Sequence, residues 1–249
     1  MSERPCALVA VRLCDVAPDG SSLLVTRGIL NLTHRDGHDR VAPLEPGERY
    51  TATVRLDAIG QAIPAGHRLR VSVSTAYWPW TWPSPEPVTL TVFAGPDSRI
   101  VLPVRAPRDA DATLAPFATP EWSEPLGQEL LRSDPTSRTL GRDLATGAHE
   151  VLFRWDVGGH RRLAEGGPEL DDANVTTYRI VDGDPLSASV RSRCSSTLAR
   201  EGWHTRVETD SHMTATADEF LVTHALDAYE GDERVYARTW TLRFPRDGV

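Results

Sequence analysis

The segment His67-Arg68-Leu69-Arg70-Val71-Ser72-Val73-Ser74 alternates without a break. Leu69, Val71 and Val73 fall on one side, and Arg68, Arg70, Ser72 and Ser74 on the other. A period of two matches the pleat of a strand, whose successive side chains point to opposite faces. A helix would scatter the same residues around its circumference. The reading is an antiparallel strand with one inward apolar face and one wet face.

Working outward, residues 49–57 repeat the pattern, with Tyr50, Ala52, Val54 and Leu56 expected on the inner face. Residues 7–13 and 22–32 are more continuously apolar, as central strands are. Between them, Ala17-Pro18-Asp19-Gly20 reads as a tight turn: proline presets φ and glycine accepts a positive one. Further strands are expected at 88–93, 99–103, 150–155, 174–181, 186–193, 204–214, 219–228 and 234–244. Asp182-Gly183-Asp184-Pro185 and Glu230-Gly231-Asp232 supply turns between the later ones. The pattern lapses over 105–125, and a short helix is expected at 126–132. The fold class is all-β, about a dozen strands in two packed sheets. One domain spans 1–249: a first half to 104, a crossing loop over 105–125 and a second half over 126–249.

The formal net charge of −8 disfavours nucleic acid as a partner, because phosphate binding needs a basic surface. Arginine dominates the basic residues and is scattered, so no polybasic membrane patch is legible. No apolar run approaches the roughly 20 residues of a membrane helix, and the N-terminus reads as a strand rather than a leader. Cys6, Cys14 and Cys194 have no metal-ligand spacing and are odd in number. They fit buried thiols in a cytoplasmic protein.

Catalytic motifs are missing from the sequence. Gly-x-Ser-x-Gly, Gly-x-Gly-x-x-Gly and a phosphate loop do not occur. His34-Arg35-Asp36-Gly37-His38-Asp39 carries metal-ligating residue types, but a solvated hairpin end accounts for it better. His204 and His212 share a strand face about 27 Å apart, too far to hold one ion. The acidic run Glu165-Gly166-Gly167-Pro168-Glu169-Leu170-Asp171-Asp172 reads as a solvated loop. No catalytic residue, metal site or cofactor is assigned.

The residues that follow the opening strand, Ser74-Thr75-Ala76-Tyr77-Trp78-Pro79-Trp80-Thr81-Trp82-Pro83-Ser84-Pro85-Glu86-Pro87, hold three of the chain's seven tryptophans. The prolines forbid a helix. As an extended segment it places Trp78, Trp80 and Trp82 on one side and Tyr77 on the other. Three readings compete: a flat stacking platform for sugar rings, a plug into a second domain, or a core corner. Tyr77, Trp78, Trp80 and Trp82 are the candidate substrate-pocket or interface residues.

Several stretches resemble one family. They are Ala10-Val11-Arg12-Leu13-Cys14-Asp15-Val16-Ala17-Pro18-Asp19-Gly20, Gly28-Ile29-Leu30-Asn31-Leu32-Thr33-His34-Arg35, Leu44-Glu45-Pro46-Gly47-Glu48, Ala65-Gly66-His67-Arg68-Leu69-Arg70 and Ser74-Thr75-Ala76-Tyr77-Trp78-Pro79. Near the end, Glu208-Thr209-Asp210-Ser211-His212-Met213-Thr214, Asp227-Ala228-Tyr229-Glu230-Gly231-Asp232 and Arg238-Thr239-Trp240 continue the likeness. The family is the CocE/NonD group of serine hydrolases, related to the X-Pro dipeptidyl-peptidases, and the likeness is to its C-terminal non-catalytic domain. The resemblance implies a jelly-roll, galactose-binding-like β-sandwich lacking its first strand here. It also implies an accessory role beside an α/β-hydrolase domain or chain that carries the serine, aspartate and histidine. Subunit contacts occur in such domains, so a homo-oligomer is a further expectation. The competing function is a carbohydrate-binding module built on Trp78, Trp80 and Trp82. Catalysis by this chain alone is not expected.

Overall fold

The computed structural model describes residues 1–106, 108–124, 126–133, 136–155, 158–164 and 166–249. Among them are twelve strands and two short 3₁₀ turns, Leu32–His34 and Asp109–Thr113. The chain is all-β, with two antiparallel sheets. No helix among the described residues is long and apolar enough to cross a membrane.

The smaller sheet contains β1 (Leu8–Val16), β2 (Ser22–Asn31) and β3 (Arg68–Ser74), in the order β2-β1-β3. β1 is the most buried, with Leu8, Val9, Ala10, Leu13 and Val16 in the core. The turn between β1 and β2 forms where proline and glycine place it: Gly20 has φ +90° and donates to the Ala17 carbonyl at 2.9 Å. Alternation in β3 holds, but its apolar side is not covered: Leu69, Val71 and Val73 are all exposed. Asp15 is buried on β1 and is hydrogen-bonded to the His67 ring at 2.8 Å.

Residues 49–57 do not form the expected strand. They run along the outer edge of β2, touching it through Asp57 N–H to the Arg27 carbonyl at 2.8 Å and Thr26 Oγ1 to the Asp57 carbonyl at 2.7 Å. Gly28 is required there, because a Cβ would run into the carbonyl oxygen of Arg55. Residues 88–93 and 99–103 also lack a ladder; only Leu90 forms an isolated bridge, to Ser2. Alternation alone is no ladder without a partner edge in register. The described part of 105–125 is without a strand and, apart from half-buried Asp111, exposed; Pro107 and Pro125 lie outside the described residues.

The larger sheet holds β4 (Gln128–Arg132), β5 (Ser137–Arg142), β6 (Ala148–Trp155), β7 (His160–Leu163), β8 (Glu169–Val181), β9 (Asp184–Arg200), β10 (Trp203–Ala215), β11 (Glu219–Glu230) and β12 (Glu233–Pro245). Its main path, β12-β11-β10-β9-β8-β6-β5, is a meander. The helix expected at 126–132 is instead β4, paired with β7 from Gln128↔Leu163 to Arg132↔His160. Cross-strand pairing outweighs the modest helix propensity of so short a run.

Register sorts most side chains of this sheet, although Asp172, Arg138 and Arg238 share the apolar face. One face carries Val151, Phe153, Tyr178, Val190, Met213, Phe220, Val222, Trp240, Leu242 and Phe244. The other carries paired charges, including Arg191 with Asp210 at 2.5 Å and Arg243 with Glu219 at 2.9 Å. The acidic run also ends up paired: Glu169 with Arg162 and His160, Asp171 with Arg132, and Asp172 with Arg161. These three carboxylates stand on β8 rather than in a loop, and Glu165 lies outside the described residues. Hydrogen bonds from Arg191, Arg162 and Arg142 hold Asp210, Glu169 and Asp182, respectively, below the usual carboxylate range.

A carboxyl group depressed in the folded state stabilises the fold above its unfolded pKa, and that contribution is lost as pH falls through the folded value. The urea midpoint should therefore stay level with respect to these groups from pH 7 to pH 5 and fall below about pH 4. Asp210→Asn should flatten that acid limb. Separately, Gly28→Ala should destabilise the fold by about 1–3 kcal/mol through overpacking. Gly60→Ala, with nothing within 4 Å of the added carbon, is the matched control in the same denaturation series.

Candidate interaction site

The aromatic segment leaves β3 at Ser74 and turns at once. The N–H groups of Trp80 and Thr81 both donate to the Tyr77 carbonyl, at 2.8 and 3.2 Å. This turn breaks the expected alternation. Trp78 and Trp82 meet edge to face, with centroids 5.2 Å apart at 85°. Trp80 points elsewhere and is 56% exposed. The three indoles therefore do not form the single-sided row that a flat sugar platform requires.

Trp78 and Trp82 both reach the apolar face of the larger sheet. Trp78 meets Tyr178 of β8 at 6.1 Å and 80°, and Trp82 meets Phe220 of β11 at 5.8 Å and 89°. Edge-to-face contact sets the positive rim of one ring against the negative face of the next. The segment is thus a plug between the two sheets of this chain.

Arg246, just past β12, clamps the plug. It is buried, and its two terminal nitrogens donate to the Thr216 carbonyl at 3.0 Å and the Pro83 carbonyl at 2.7 Å. Its guanidinium lies 4.9 Å from the Phe220 ring centroid. Burial pushes the Arg246 pKa below its ordinary value. The Arg246 Nε and the Trp82 Nε1 are buried without a hydrogen-bond partner among the described residues. Two residues on, the Gly248 carbonyl accepts from Asn31 Nδ2 at 2.7 Å and Thr33 Oγ1 at 2.8 Å. The end of β12 is thereby tied back to the smaller sheet.

Tyr77 and Trp80 face away from this seam, toward β1 and β2. The Arg27 guanidinium lies 3.7 Å from the Trp80 centroid and 5.6 Å from that of Tyr77. Arg12 lies 5.3 Å from the same Tyr77 ring. The four candidate residues therefore divide into an internal pair, Trp78 and Trp82, and an outward pair, Tyr77 and Trp80. Sequence reading missed Tyr178, Phe220 and Arg246, because strand register alone brings such distant positions together. Proline spacing was the available signal for the turn itself.

Much of the apolar face beyond the plug is open: Trp155, Tyr236, Leu242 and Phe244 are 49, 46, 45 and 48% exposed. On this face Ser211 and the His224 Nδ1 lie 2.5 Å apart, and the imidazole leans on Trp240. The adjacent carboxylate, Asp210, points to the opposite face and is tied to Arg191. Burial and Glu86 raise the Cys6 thiol pKa, which disfavours a nucleophilic thiolate. The His34 and His38 rings lie 5.3 Å apart. Among the described residues, no group of three or more His, Cys, Asp or Glu is placed to hold a metal ion.

Residues 1–107 match the family of the X-Pro dipeptidyl-peptidase C-terminal non-catalytic domain. The match covers the smaller sheet and the aromatic plug, and it supports the resemblance read from those residues. No curated protein and no solved structure matches the chain.

Arg246→Met retains bulk but leaves the carbonyls of Pro83 and Thr216 without their donor. The expected loss is roughly 2–4 kcal/mol in urea denaturation. Tryptophan emission should shift to the red as Trp78 and Trp82 gain solvent. Unchanged emission and stability would remove the clamp from the account.

Proposed function

We propose that this chain is an accessory domain of a cytoplasmic serine hydrolase of the CocE/NonD class, of acyl-esterase or X-Pro dipeptidyl-peptidase type. It supplies no catalytic triad. It packs on an α/β-hydrolase domain and helps to wall the substrate pocket. Its three free cysteines suit a reducing compartment.

The observation that carries this reading is surface area. The chain exposes 17347 Å² for a mass of 27.4 kDa. A compact monomer of that mass exposes about 11,000 Å². The surplus is larger than an obligate interface of about 2,000–5,000 Å². Part of it lies on the apolar face of the larger sheet, where the plug covers one region and leaves Trp155, Leu242 and Phe244 in solvent. An apolar face of this extent is a surface made to be covered. The match over residues 1–107, to a domain named as the non-catalytic part of a peptidase, supports a peptidase catalytic domain as the covering body. In this reading Trp78 and Trp82 hold the wall together, while Tyr77 and Trp80 stand on the side offered to the pocket.

The test mixes the purified chain with a CocE-type α/β-hydrolase chain made without its own C-terminal domain. The expected result is a 1:1 complex by light scattering and a rise in turnover of an ester or X-Pro substrate. A Leu242→Asp, Phe244→Asp double variant should weaken the complex at least about tenfold while retaining its circular dichroism. A stable monomer that neither binds nor activates the hydrolase contradicts the proposal.

A further inference from the structure

The outward pair of aromatics borders a second feature. Arg12 and Arg27 stand directly opposite each other in the β1–β2 register, and Ser72 stands opposite Arg12 from β3. Paired positions of this kind are about 5 Å apart at Cβ, where like charges repel. Most arginines of the larger sheet's charged face are ion-paired, but neither Arg12 nor Arg27 forms an ion pair or a side-chain hydrogen bond among the described residues. The Nε of Arg12 is buried and has no acceptor among the described residues. Arg68 and Arg70 project from the same face, opposite Val16 and Cys14. This concentration of positive charge sits on a chain whose net charge is −8.

The rings do not satisfy these guanidiniums. A guanidinium stacked on an indole uses its π face and leaves its in-plane N–H donors free. Arg27 on Trp80 is in that position, and its guanidinium makes no hydrogen bond among the described residues. Two adjacent forks, a nearby serine hydroxyl and two aromatic faces suit a carboxylate attached to an apolar body. Among the described residues, no helix N-terminus or glycine-rich backbone cradle, the usual marks of a phosphate site, adjoins them.

We infer that Arg12 and Arg27, walled by Tyr77 and Trp80, form a carboxylate-binding site. The inference does not depend on the hydrolase reading, since the site is complete within β1, β2 and the aromatic turn. The carboxylate belongs either to a small molecule or to an acidic side chain of a partner.

The test is isothermal titration of the full chain with benzoate, using benzamide, inorganic phosphate and an end-blocked glutamyl peptide as comparisons. Benzoate should bind saturably, at least about tenfold more tightly than neutral benzamide, as expected for a charge-assisted fork. Arg27→Gln and Arg12→Gln should each weaken it by a similar factor. Arg27→Lys, which keeps the charge and loses the fork, should fall between. Arg243→Gln, remote from the site, should leave binding unchanged. Equal binding of the glutamyl peptide assigns the carboxylate to a partner side chain; binding of benzoate alone assigns it to a small molecule. No saturable binding of any carboxylate overturns the site. So does binding retained in a folded Arg12→Gln, Arg27→Gln double variant, or phosphate binding that benzoate does not match.

Discussion

The union of the two sheets depends on one small seam. Trp78 and Trp82 set their edges against Tyr178 and Phe220, and Arg246 holds the segment down through the Pro83 carbonyl. Neither sheet is closed on itself. The smaller has three strands, and the larger is a single layer with one apolar face. A layer of this kind is stable only when its apolar face finds a partner. The seam provides part of that partner from within the chain. Its buried guanidinium needs acceptors, and the ends of two loops provide them.

The strand content was legible because period-two alternation is a local property. His67 to Ser74, the long runs after residue 169 and the Gly-centred turns all formed where their patterns placed them. Residues 49–57 and 88–93 show what alternation leaves open: a pattern describes a face, whereas a ladder needs a neighbour in register. The expected helix at 126–132 became β4 because β7 offered such an edge. The candidate site was half legible. Its aromatic residues stood out by density and proline spacing. Their sorting into an inward and an outward pair depended on the turn at Tyr77, which an extended reading passes over. Arg12 and Arg27 are fifteen positions apart in a scattered set of arginines, and only the β1–β2 register makes them neighbours.

The two outward surfaces have different chemistry. The open face of the larger sheet is apolar and broad, which suits a large desolvated interface. The Arg12–Arg27 face is compact, cationic and bordered by aromatic rings, which suits a small charged group. An accessory domain can use both at once, one surface to dock and the other to engage a carboxylate at the edge of the docked body. Neither requires a reactive serine. Ser211 and His224 lie close together, but the carboxylate next in the chain is on the far side of the sheet. That arrangement is a cross-strand hydrogen bond, and the Asp210 carboxylate, which a triad would need on the same side, is held by Arg191 instead.

In the proposed function, the apolar face of the nine-stranded sheet is an interface and not a free surface. Hydroxyl-radical footprinting reads it residue by residue, on the isolated chain and on the chain recovered at native abundance with whatever accompanies it. Heavy labelling of Trp155, Tyr236, Leu242 and Phe244 is expected in the isolated chain and strong protection in the native assembly, with Trp78 and Trp82 weakly labelled in both. Equal labelling of the four in both states would contradict it.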